Sequence, residues 1–241
     1  MVRSAGLVIA ELAEAPAERI GGKALGLARL VRAGLPVPAA MVVPVGEAVT
    51  GEELAAAAQR LGEPLAVRSS ASGEDAGERS AAGQFETLLD VTRAELPDAV
   101  EQVRRSATSA RAQAYGSDSQ MAVVIQRQVR ATRAGVAFSR DPVTGADEVV
   151  IEAVFGYGDV LVSGEVAPDR YRVARDETVR ARVTDKGGPT ALLRTLRDDE
   201  AAEVARHVRR AERAFETPVD VEFCFEGRSL WLVQCRPITA L

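Results

Sequence analysis

A chain of 241 residues with 46% apolar and 27% charged side chains can bury a substantial core, as one large domain or two lobes, and reads as a soluble globular protein. Its net charge of −5 gives no general attraction for nucleic acid or anionic membranes, and no apolar run approaches the ~20 residues that span a bilayer. Two cysteines without CxxC spacing give no metal signature, and the opening Met1-Val2-Arg3-Ser4 starts no signal peptide, so the expected setting is reduced and cytoplasmic.

The first expected element is a short strand over Leu7–Leu12. Ile20-Gly21-Gly22-Lys23 then leads into a helix over Ala24–Ala33, where Leu27, Leu30 and Val31 recur at helical spacing. Gly34 ends it, and Pro36 and Pro38 prevent a restart. A strand over Met41–Pro44, an alanine-rich helix over Gly51–Leu61 and a strand over Leu65–Arg68 follow. A polar stretch of small residues runs from Ser69 to Gln84 before an apolar pattern resumes at Glu86–Val91. Glu95–Tyr115 is a long amphipathic helix, and Met121–Val129 and Ala134–Phe138 read as an antiparallel pair. Asp141–Gly145 is a turn, Glu148–Phe155 a strand, Tyr171–Val183 a strand with alternating arginines, and Asp198–Phe215 a second amphipathic helix. Strands and helices without strict βαβ alternation predict an α+β fold, with no repeat and no long linker.

The closing hairpin carries the clearest chemical pattern. Asp220 and Glu222 point the same way along one strand, as do Gln234 and Arg236 along the next. A loop of Glu226-Gly227-Arg228 would set Asp220 opposite Gln234 and Glu222 opposite Leu232. The four polar groups then share one face, with Val219, Val221, Phe223, Trp231, Val233 and Cys235 on the other. Cys224 and Cys235 fall on opposite faces, which argues against a disulfide. Oxygen ligands beside a guanidinium fork suit Mg²⁺ and the phosphates it bridges, while an ordinary solvated hairpin face is the alternative.

Three further segments are candidates. Gly21-Gly22-Lys23 opens a helix whose N-terminal N–H groups favour anions, though a solvated lysine explains the same residues. Arg68 ends a buried-looking strand just before the hydroxyl- and glycine-rich stretch, which can fold over a triphosphate or be an ordinary loop. Glu152–Gly158 followed by Asp159 reads as a strand end or a hairpin turn. His207, the one histidine, lies on the polar part of a helix with nothing to orient or shield it for catalysis.

Taken together these segments resemble one family. Gly21-Gly22-Lys23-Ala24 through Gly34-Leu35-Pro36-Val37-Pro38 resembles the N-terminal motif of the ATP-binding domain shared by phosphoenolpyruvate synthase, pyruvate phosphate dikinase and rifampicin phosphotransferase. Ala66-Val67-Arg68-Ser69-Ser70-Ala71, Glu74-Asp75, Ala82-Gly83-Gln84 and Thr87 are similar to its second motif. Gly135–Phe138, Asp141-Pro142, Gly145, Glu152-Ala153, Gly156, Gly158, Gly164 and Pro168-Asp169 are similar to its middle section. Asp220-Val221-Glu222, Gln234 and Arg236–Thr239 resemble its closing signature.

The resemblance implies an ATP-grasp fold of two α+β lobes, 1–115 and 116–241, holding ATP between them with Mg²⁺. It implies phosphate contacts from Lys23 and Arg68, a covering loop with Gly83, Gln84 and Thr87, and Gln126 near the adenine. Glu222 and Gln234 would hold Mg²⁺ with Asp220 in support, and Arg236 would stabilise the transferring phosphoryl group. The chain departs from the family where Val43–Leu65 and Arg172–Asp198 look compact, as if a helical subdomain were trimmed. It also carries no Thr-Ser-His motif of a swivelling domain. The favoured expectation is a phosphotransferase component passing a phosphoryl or pyrophosphoryl group to a histidine on a separate swivelling-domain protein. A stand-alone kinase or ligase acting on a small molecule, and a nucleotide-binding module without catalysis, are the alternatives.

Overall fold

A computed structural model describes residues 9–71, 87–115, 121–158, 167–184 and 193–238, with side chains outside 107–115 and 181–184. The chain divides into two compact units, Met1–Ala28 with Pro38–Gln128, and Arg29–Val37 with Val129–Leu241.

The first unit is built on a five-stranded sheet in the order β1-β2-β5-β3-β4. Its strands are β1 (Ala10–Glu11), β2 (Ala40–Val43), β3 (Leu65–Ser70), β4 (Thr87–Val91) and β5 (Ala122–Arg127). β5 lies between β2 and β3, antiparallel to both. The expected pairing of this strand with Ala134–Phe138 is therefore wrong. Met121–Ile125 is apolar on both faces, which suits the middle of a sheet rather than one arm of a half-solvated hairpin. On one face, Met41, Val43, Leu65, Val67, Val123 and Ile125 pack with residues of α2 (Gly51–Leu61) and α3 (Leu96–Tyr115), including Leu54, Leu61, Leu96 and Val100. A capping box starts α2: the Glu53 N–H donates to Thr50 Oγ1 at 3.3 Å, and the Thr50 N–H donates to Glu53 Oε2 at 2.8 Å.

The second unit's sheet has six strands in the order β11-β10-β6-β7-β8-β9, every neighbouring pair antiparallel. These are β6 (Arg133–Phe138), β7 (Val149–Phe155), β8 (Asp169–Val173), β9 (Val179–Thr184), β10 (Val219–Glu226) and β11 (Ser229–Pro237). The single strand expected over Tyr171–Val183 is thus two. Its arginine alternation gives no sign of the break, but Asp176 accepts the Thr178 N–H at 3.1 Å and Glu177 adopts a φ of 66°, which turns the chain. α4 (Asp198–Phe215) makes contacts with all six strands and buries Val204, Val208, Ala211 and Phe215.

Two positions show why this sheet needs its residues. A Cβ on Gly135 would lie 2.1 Å from the Glu152 carbonyl oxygen and 2.7 Å from the Phe223 ring, so only glycine lets that ring sit there. Arg133 donates to the buried Glu200 at 2.6 Å and stacks over Phe225 at 4.6 Å, joining α4 to the sheet. Burial pulls the Glu200 pKa upward, but hydrogen bonds from Arg133 and from the Arg197 N–H win and hold it below the usual range. α1 (Gly21–Arg32) ends as expected: Gly34 takes a φ of 66°, its N–H donates to the Val31 carbonyl, and the Leu35 N–H donates to the Leu30 carbonyl.

Candidate functional site

In the first unit, α1 begins against the end of β3. Ser70 Oγ donates to the Ile20 carbonyl at 2.6 Å and accepts the Ala24 N–H at 3.0 Å, while the Gly22 N–H donates to the Ala71 carbonyl at 2.9 Å. The serine caps a helix 46 residues away in sequence. Gly21 has a φ of 70°, and a Cβ there would lie 2.3 Å from the Ser70 carbonyl oxygen. The glycine and two of the first-turn N–H groups thus serve this docking, not an anion as the sequence pattern suggested. Lys23, half-buried, is carried in that same turn.

Arg68 lies two residues before Ser70 and so points to the same face of the sheet, away from the Leu65–Val67 core face. Thr87 sits directly opposite it on β4. Gln126 projects from β5 to this face in the neighbouring row, opposite both Ala66 and Ala40; it is buried, with Nε2 3.5 Å from the Pro38 carbonyl. Arg68, Thr87 and Gln126 therefore share one face, joined at the end of β3 by the turn that carries Lys23. Gly83 and Gln84 lie outside the described residues, as do Asp159 and Gly164. The cap formed by Ser70 was missed in the sequence, where Ser69 and Ser70 read as the start of a polar loop; both are fully buried on β3.

In the second unit the hairpin register differs from the expected one. Glu226 pairs with Ser229 across a two-residue Gly227-Arg228 turn, Gly227 having a φ of 61°. The pairing slips by one between Glu222 and Phe223, so that Val233 is the extra residue of a bulge. Beyond the bulge Glu222 faces Gln234 and Asp220 faces Arg236, not Leu232 and Gln234 as expected. The four polar groups still share one face, because the bulge reverses the alternation that the shorter turn would have imposed. Trp231 and Val233 are corrected to that same face, where they pack beside Cys224, Val129 and Ala134. Leu232 takes the expected place of Val233 in the core, and Cys235 stays there; both cysteines are free and buried.

Asp220 is buried, and its Oδ2 accepts the Arg236 Nε–H at 2.7 Å, which fixes the plane of the guanidinium. Glu222 and Gln234 offer a carboxylate and an amide oxygen directly across from one another. This donor set fits Mg²⁺, which takes few protein oxygens and completes its shell with phosphate and water. Among the described residues no three His, Cys, Asp or Glu side chains converge as a denser metal cage would require. The same row continues across the sheet through Val136 to Glu152 and Arg170, which are ion-paired. Arg170 was not singled out in the sequence, although the two-residue alternation of Arg170 and Arg172 marks the face it occupies.

Other motif residues are structural. Asp141 accepts the Val143 N–H at 2.8 Å and the Thr144 N–H at 3.1 Å, and its other oxygen lies 2.7 Å from Arg172. The Val143 N–H leads in lowering its pKa to about 2, against burial and with help from Thr144 and Arg172. Asp169, fully buried, accepts the Thr195 N–H at 2.8 Å and lies 3.3 Å from the Tyr171 hydroxyl, which accepts the Leu196 N–H at 2.8 Å. His207 is half-buried rather than exposed, with Nδ1 lacking a hydrogen-bond partner among the described residues. No helix of the described residues is long and apolar enough to cross a membrane.

The family described as pyruvate phosphate dikinase, AMP/ATP-binding domain, matches residues 45–241. A probable phosphoenolpyruvate synthase of Archaeoglobus fulgidus is 37% identical over 205 residues, which cover 73% of this chain and 27% of the relative. The chain thus spans about a quarter of that relative's length. Among solved structures, PH1788 of Pyrococcus horikoshii superposes with a TM-score of 0.56 at 16% identity over 91% of both chains. The biotin carboxylase domain of Hydrogenobacter thermophilus 2-oxoglutarate carboxylase, in complex with MgADP, does so with a TM-score of 0.51 at 16% identity, over 92% of this chain and 41% of that one.

Proposed function

From the premise that this chain belongs to the pyruvate phosphate dikinase AMP/ATP-binding domain family and has the ATP-grasp fold, we propose that it is an ATP-dependent phosphotransferase component using Mg²⁺. The observation that carries this reading is the hairpin: a guanidinium held by a buried carboxylate, beside two oxygen donors on the same face. Phosphoryl transfer asks a protein chiefly for positioning and for positive charge where charge develops. In this reading Arg236 supplies that charge and Asp220 orients it, acting through Arg236 rather than as a metal ligand. Glu222 and Gln234 would hold Mg²⁺, which would supply positive charge to offset that of the phosphates. Lys23 and Arg68 contact phosphates, Gly83, Gln84 and Thr87 belong to the covering loop, and Gln126 lies beside the adenine.

The acceptor we propose is a histidine on a separate swivelling-domain protein. His207 is poorly suited to that role, since α4 packs on the face of its sheet opposite Asp220 and Glu222. The test is incubation of the purified chain with Mg²⁺ and ATP labelled in the β or γ position, with and without a phosphohistidine-domain protein. AMP and phosphate formed only with the partner are the expected products. ADP formed with a small-molecule acceptor would redirect the proposal to a stand-alone kinase or ligase. Tight Mg-ATP binding without turnover under any condition would leave a nucleotide-binding module, and no binding at millimolar ATP would overturn the proposal altogether.

A further inference from the structure

The α4 side of the second unit has a polar feature of its own. The C-terminal half of α4, residues 216–218 after it, the turn that follows β8, and Arg140 line a half-open cavity of about 640 Å³. Arg206, Arg209, Arg210 and Arg213 line it from α4 at i, i+3, i+4 and i+7, a single helix face, and Arg140 and Arg175 complete the set. Glu177, Glu212 and Glu216 also line it, and Asp147 pairs with two of the arginines, so four carboxylates stand against six guanidinium groups.

The carboxylates do not balance this charge. Glu212 is shared by Arg140 at 3.6 Å and Arg209 at 3.0 Å, and Asp147 by Arg175 and Arg209. Arg206 pairs with Glu177 at 2.8 Å. Arg210 donates to the neutral carbonyls of Ala33 and Gly34, and neither it nor Arg213 forms an ion pair among the described residues. Arg209 is only 13% exposed; its Nη1 and Nη2 lie 3.0 Å from the Glu212 and Asp147 carboxylates, but its Nε has no hydrogen-bond acceptor among the described residues. A buried guanidinium with an unmatched N–H is costly unless an acceptor meets it. The C-terminal dipole of α4 disfavours an anion, but so many guanidinium groups outweigh it.

We infer that this cavity is an anion site for a small phosphate-bearing ligand, either free phosphate or a phosphate ester. Arginine forks match phosphate oxygens in pairs, the volume suits a ligand from phosphate to a mononucleotide, and the charged lining excludes an apolar one. The inference does not rest on the nucleotide reading of the hairpin, which lies on the other face of the sheet.

His207, the chain's one histidine, gives the test its readout. Burial lowers its pKa, and the charges of Arg210 and Arg206 lower it further. An anion among those arginines cancels part of their field, so the imidazole should titrate at higher pH. The experiment follows the His207 imidazole by NMR at constant ionic strength in chloride, then with inorganic phosphate or glycerol phosphate replacing chloride. The expected result is a saturable upward shift of the His207 pKa, half-complete at millimolar concentration or below. Tighter binding of the ester assigns the site to a phosphate ester, and equal binding assigns it to phosphate itself. The double variant Arg175→Gln/Arg213→Gln removes two exposed side chains and should raise the half-saturation point about tenfold, the effect of about 1.4 kcal/mol. No shift beyond that in chloride would overturn the site, as would an unchanged half-saturation in the double variant. Loss of the shift in Arg236→Ala would assign the phosphate to the hairpin face and overturn it equally.

Discussion

The two units gather their polar groups in opposite ways. In the second, Asp220, Glu222, Gln234 and Arg236 come from one hairpin, adjacent in register, with Asp220 gripping Arg236 directly. In the first, Arg68, Thr87 and Gln126 come from three strands, and the Lys23 turn is docked beside them by Ser70 and Gly21. The local set depends on one bulge; the dispersed set depends on strand order and on a close backbone contact. Damage should therefore look different in the two units, chemical in the hairpin and structural in the first sheet.

The sharpest separation is expected from Arg236→Ala. Turnover should fall by about 10³-fold or more, equivalent to about 4 kcal/mol, while ATP binding measured by calorimetry stays largely intact. Near-normal turnover would remove Arg236 from the chemistry. Gly21→Ala should act through folding instead: a strained φ and a Cβ 2.3 Å from a backbone oxygen predict a loss of about 3 kcal/mol in denaturant unfolding. A stability change below about 0.5 kcal/mol would mean that this docking contact does not govern the first unit.

Asp141→Asn probes a structural motif in the same unit as the hairpin. Because the folded pKa lies near 2, below the ordinary 3.8, the carboxylate stabilises the fold fully above about pH 4. That contribution is lost as pH falls through about 2, so at pH 6 the variant should be less stable by about 2 kcal/mol or less. Its stability should also vary less between pH 5 and pH 2; an equal acid dependence in both proteins would assign that dependence to other groups. The smallest effect is expected from Glu222→Ala, about tenfold weaker ATP binding in Mg²⁺ and little change in EDTA. Equal weakening in both conditions would deny Glu222 its metal role.

The hairpin was legible because its information is local. Alternation places Asp220 with Glu222 and Gln234 with Arg236 whatever the rest of the chain does. Which residues face each other was not legible, since the turn length and the bulge at Val233 are set by how Leu230, Leu232 and Cys235 pack under the sheet. A helix end was equally readable where a local device marks it, as Gly34 does for α1.

Long-range partners were another matter. Nothing near Ser70 in sequence announces that it caps α1, and nothing near Asp169 announces that it holds Thr195. The break between β8 and β9 was hidden by an arginine alternation that runs through it. By itself the sequence determined the α+β class, most of the strands and helices, and the residue types of the hairpin set, because periodicity and turn chemistry act over a few residues; Gln126 was implied only by the family resemblance. Only the tertiary structure decided that β5 joins β2 and β3, that Gly21 serves a serine, and that six arginines converge around one cavity. Those outcomes depend on contacts between distant segments, where close packing selects one arrangement among several that local preference allows.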